Sequence, residues 1–79
     1  MTDNVKQVST DEMRFKAKQL HAAGCLSDAI KLQLNLVRLA GCRGEIRAED
    51  HHCLGVMFFM LRDFRNAAVA FACVKSLDP

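Results

Sequence analysis

Apolar positions recur every three or four residues along most of this chain, and that spacing predicts four helices. Ser9-Thr10-Asp11-Glu12 reads as a capping box, with Ser9 as N-cap and Glu12 three residues later. The first helix then runs to about Ala23, with Met13, Ala17 and Leu20 on one face, and Gly24 ends it. The second runs from about Leu26 to Ala40 and has a broad apolar surface that includes Ala29, Ile30, Leu36 and Val37. Gly41-Cys42-Arg43-Gly44 reads as the loop that follows. The third helix starts near Ile46 or Ala48 and reaches Leu61; the fourth starts near Asp63, its N-cap, and reaches about Ser76. Residues Ile30 to Leu36 also alternate apolar and polar in the manner of a strand. Leu, Lys and Gln favour helix there, and a lone strand would have no partner. The expected fold class is all-α.

The halves echo one another. Gly24-Cys25-Leu26-Ser27-Asp28-Ala29 parallels Arg62-Asp63-Phe64-Arg65-Asn66-Ala67 at an offset of 38 residues. The second half places Leu54, Gly55, Phe58, Phe64, Ala67, Phe71 and Pro79 at the spacing of one tetratricopeptide repeat (TPR), which it resembles. Val74 replaces a usual Ala, and Arg62 stands where that family has Gly. In the first half Ala17, Leu20, Gly24, Leu26 and Ala29 match, while Lys16, Gln33 and Gly41 depart from the expected Leu, Phe and Pro. The offset also exceeds the family period of about 34 residues. The resemblance implies two antiparallel helix-turn-helix hairpins forming a right-handed solenoid fragment. Residues 1–8 are expected to be a flexible N-terminus, with repeat one at about 10–43 and repeat two at about 48–79. Close helix crossings are expected where Gly55 faces Ala67 and Ala17 faces Ala29.

The same resemblance implies non-catalytic protein binding, as an adaptor or small chaperone. Its groove would present Arg14, Lys18 and His21 from the first helix and His52, Val56, Phe59 and Met60 from the third. The partner would be a peptide or helix of another protein, with apolar anchors and an acidic flank. Cys53 occupies the position where carboxylate-clamping members place Asn, which argues against capture of a C-terminal carboxylate. The alternative is a homo-oligomerisation module. The run Ala67–Val74 leaves the fourth helix apolar nearly all round, with no further repeat after it. Burial by a second copy, through Ala68, Val69, Phe71 and Ala72, is therefore expected, as a homodimer.

Composition narrows the remaining classes. A chain of 79 residues forms one domain, and 51% hydrophobic content argues for a folded one. A net charge of +2 is too weak to argue for nucleic acid. The longest apolar run, Leu54–Leu61, falls far short of the roughly 20 residues of a membrane span. No basic segment followed by an apolar run begins the chain, so a cytoplasmic setting with Cys25, Cys42, Cys53 and Cys73 reduced is expected. His51-His52-Cys53, with His21 and Cys42, offers zinc-type ligands. Adjacent histidines on a helix diverge by about 100°, however, and no CxxC or HxxxH spacing occurs, so no metal or other cofactor is expected. Cys53 beside His52 lacks an orienting group and an oxyanion loop, so no enzyme activity is expected.

Overall fold

The computed structural model describes residues 9–77. These form four helices, α1 (Thr10–Ala22), α2 (Leu26–Arg43), α3 (Ala48–Met60) and α4 (Phe64–Leu77), with no strand among the described residues. The fold is all-α, and Ile30–Leu36 is helical. The expected flexible segment 1–8 and the motif residue Pro79 lie outside the described residues.

Side-chain acceptors meet backbone N–H groups at the starts of α1, α3 and α4, whereas α2 starts behind Cys25 with no side-chain cap. Ser9, in extended backbone, accepts through Oγ from the Asp11 and Glu12 N–H groups at 3.1 and 3.4 Å. Asp63 accepts from the backbone N–H and the side-chain amide of Asn66, at 3.4 and 2.8 Å, ahead of α4. At α3 the Asp50 carboxylate accepts from the Arg47 N–H at 3.0 Å, tying the N-cap to the first turn.

The end of α2 differs from the sequence expectation. Gly41 and Cys42 are helical, and the helix continues to Arg43. Gly44 is the terminator: its φ of 72° is left-handed, and the Glu45 N–H behind it closes on the Ala40 carbonyl at 2.8 Å. Cys42 is thus an exposed residue of α2, not a loop residue.

The two hairpin turns share four backbone hydrogen bonds. Ala23 N–H to Gln19 C=O, Gly24 N–H to His21 C=O, Cys25 N–H to Leu20 C=O and Ala29 N–H to Cys25 C=O close the first. Leu61 to Met57, Arg62 to Phe59, Asp63 to Phe58 and Ala67 to Asp63 close the second, each donor and each acceptor displaced by 38 residues. In both, one residue takes a left-handed φ: Gly24 at 84° and Arg62 at 65°. The arginine at position 62 therefore falls on the one turn position where a Cβ is strained.

α1 packs on α2, α2 on α3 and α3 on α4. Ala29, Ile30, Leu54, Met57 and Ala70 form one buried cluster, with Phe58 half-buried against it. Met13, Leu36 and Ala40 form a second, closed by Ile46 from the α2–α3 connection. Ala17, Ala29 and Ala40 are essentially without exposure, which marks where backbones approach closely. Removing a side chain such as Leu36 or Met57 from water contributes about 1.5–3 kcal/mol each.

Gly55 makes room for an aromatic. A Cβ there would meet the Phe71 ring, 2.5 Å from Cε1. Ala67, one helical turn before Phe71 on α4, is buried.

Candidate functional site: the groove between α1 and α3

Three contacts set α1 beside α3 with both helices running the same way. Arg14 meets Asp50 near their N-termini, Lys18 Nζ lies 3.8 Å from Glu49, and His21 Nε2 meets Met60 Sδ at 3.2 Å near their C-termini. Between them lies a groove of about 250 Å³.

The floor of the groove is a polar knot joining three helices. Arg14 donates from Nε to Asp50 Oδ1 at 2.7 Å and from Nη2 to Oδ2 at 2.8 Å. Its remaining N–H groups reach Asp11 at 2.9 Å and the Glu45 carbonyl at 3.0 Å. Gln33 of α2 donates to the Asp50 carbonyl at 2.8 Å, and Thr10 Oγ1 donates to Glu45 at 2.9 Å. Asp50 is 3% exposed, yet among the described residues no buried side-chain N or O lacks a partner. Burial pushes the Asp50 carboxyl up, but the hydrogen bonds from Arg14 and from the Arg47 N–H outweigh it and hold the group below its ordinary value. The hydrogen bond to Asp50 raises Arg14 in turn, against its own burial.

Apolar groups form the walls. Phe15 of α1 is 63% exposed at the edge, and Cys53 and Met57 of α3 stand opposite. Burial and the charge of Glu49 push the Cys53 thiol above its ordinary value, so it is a protonated, weakly nucleophilic group at neutral pH. Past His21 the groove meets an apolar tip at the α3–α4 turn. Phe59, Met60, Leu61 and Phe64 there are each more than half exposed.

The expected groove residues divide. Arg14, Lys18 and His21 line the groove, and Met60 sits at its end against His21. His52 turns toward α4, its ring 5.8 Å from that of Phe71. Phe59 pairs edge-on with Phe64 at 5.2 Å, which places it on the tip. Val56 is half-buried and does not line the groove. Phe15, Gln33, Glu49, Asp50 and Met57 complete the lining. Phe15 could have been found: it is the one large apolar residue of the first helix off the Met13–Ala17–Leu20 face, next to Arg14 and one turn before Lys18.

The groove's cations are matched by carboxylates. Arg14 is bound to Asp50 and Asp11, Lys18 lies near Glu49, and Arg47 lies 3.5 Å from Asp11. Three cations face three carboxylates, so the groove is nearly neutral. On the fourth helix Ala68, Val69 and Ala72 are exposed, whereas Phe71 is half-buried between Gly55 and His52. Cys25, Cys42, Cys53 and Cys73 are free thiols. Among the described residues no cluster of three or more His, Cys, Asp or Glu side chains could hold a metal ion, and no helix is long and apolar enough to cross a membrane.

Comparison with protein-family models, with curated proteins and with solved structures gave no match for this chain.

Proposed function

We propose that this chain is a non-catalytic protein-binding module, TPR-like in arrangement, that holds a peptide or helix of another protein between α1 and α3. The observation that carries the reading is the groove itself. It has a fully bonded floor at Arg14, Asp50 and Gln33, an apolar wall exposed at Phe15, and a run-out onto the apolar tip at Phe59, Met60, Leu61 and Phe64. A bonded floor beside exposed aromatic and aliphatic groups suits binding, because large exposed apolar groups cost solubility unless a partner covers them. The repeated turn geometry, displaced by 38 residues, supports reading the two hairpins as tandem repeats of a solenoid fragment. The near-neutral lining shifts recognition from an acidic flank toward apolar anchors.

Selection of peptides from a random library on the immobilised chain tests this. Selected sequences should carry one or two large apolar residues and move the amide resonances of Lys18, Cys53 and Met57. Peptides that move none of these would sink the groove assignment.

Self-association is the second reading, favoured by the exposure of Ala68, Val69 and Ala72 on α4. A homodimer visible by light scattering at roughly tens of micromolar would support it, and a monomer there would count against it.

A further inference from the structure

α2 and α4 wall a second surface that the groove between α1 and α3 does not use. It is an open trough of about 360 Å³ with Leu54 and Phe58 of α3 on its floor. Leu34 on the α2 wall is 43% exposed and Val69 on the α4 wall is 59% exposed, so the rims are apolar as well as the floor.

Exposed cations stand one helical turn from the two rims. On α2, Lys31 precedes Leu34 by three residues and Arg38 follows it by four; on α4, Arg65 precedes Val69 by four. A carboxylate, Asp63, also lies beside the trough, hydrogen-bonded to the lining residue Asn66. Among the described residues Lys31, Arg38 and Arg65 are in no ion pair; Arg38 donates to Asn35, a neutral partner, at 2.7 Å. The other groove pairs Arg14, Lys18 and Arg47 with its own carboxylates.

We infer that the trough between α2 and α4 is a docking surface for an acidic amphipathic helix of another protein. A groove between two helices accepts the ridge of a third, with apolar side chains one turn apart seated over Leu54 and Phe58. Glu or Asp on the flanks of that helix meet the cations of α2 and α4. A second copy presenting the same face would set Lys31, Arg38 and Arg65 against the same three cations, which opposes that pairing. An anionic membrane favours apolar groups that project from the surface, while here they line a recess.

The test uses the full chain, isotopically labelled, and two synthetic amphipathic helices that share one Leu stripe and differ only in Glu or Lys flanks. Phosphatidylserine-containing vesicles form a third arm. The Glu peptide should bind at least about tenfold tighter than the Lys peptide and move the resonances of Leu34, Val69 and Ala70. Arg65→Glu should weaken it about fivefold at low salt and less at high salt. Val69→Glu, at an exposed position, should abolish binding with helical content unchanged. If that variant loses its helicity, Arg65→Glu carries the test. Phe15→Ala, which alters only the groove between α1 and α3, should leave this affinity unchanged. Equal affinity for the two peptides, resonance shifts confined to the other groove, binding to vesicles alone, or a self-associated chain that excludes the peptide would each overturn the inference.

Discussion

The Arg14 guanidinium grips the Asp50 carboxylate at two points, 2.7 and 2.8 Å, and this pair joins α1 to α3 across 36 residues of sequence. Asp50 is buried and Arg14 largely so, with side-chain exposures of 3% and 13%. Arg14→Ala should therefore cost about 3 kcal/mol or more, because it strands a buried carboxylate. Lys18→Ala, which breaks an exposed pair, should cost about 0.5 kcal/mol or less. Urea titration of both variants checks the contrast; equal losses would contradict the buried role of Arg14.

The pair also sets a pH dependence. Asp50 titrates below its ordinary value in the folded chain, so it stays charged in more acid than it does unfolded. Its contribution is full above the unfolded carboxylate value of about 4 and is lost as pH falls through the lower folded value. The melting temperature should hold from neutral pH to about 5 and drop below about 4. A melting temperature that rises on acidification would contradict this sign.

Arg62 offers a gain. It takes the left-handed φ that Gly24 takes at the equivalent turn. Arg62→Gly should stabilise the chain by about 0.5–1 kcal/mol, which is a rise of roughly 3–6 °C in melting temperature for a domain of this size. Gly24→Ala should do the reverse by a similar amount. A destabilised Arg62→Gly variant would show that the arginine side chain contributes more than the strain costs.

Gly55 is expected to be intolerant. A side chain there would fall within 3 Å of three Phe71 ring atoms. Gly55→Leu should overpack the α3–α4 contact and cost about 1–3 kcal/mol. Thermal melts of Gly55→Leu with and without Phe71→Ala test the contact, since the second change should recover part of the loss. No recovery would move the clash elsewhere.

The four helices were legible because their apolar spacing and their caps, Ser9 and Asp63, agree. The end of α2 was not, because Gly41 and Gly44 look alike in sequence and only Gly44 takes the left-handed backbone. A helix can hold one glycine at a cost of about 1 kcal/mol, so Gly41 carries no stop signal of its own. The groove was legible in part: Arg14, Lys18 and His21 line it as read. Its charge state was not, because the partner of Arg14 lies 36 residues away and no local pattern names Asp50. Gln33 illustrates the same limit. It stands where an aromatic was expected, and its role depends on a carbonyl of another helix.

The most direct test of the account is the affinity of a library-selected peptide for wild-type chain and for Phe15→Ala, measured by titration calorimetry. Phe15 is 63% exposed on the groove wall and carries no share of the buried core. The expected result is a loss of about fivefold or more in affinity with an unchanged thermal melt. An unchanged affinity, with the peptide still bound, would show that the groove between α1 and α3 is not where this protein holds its partner.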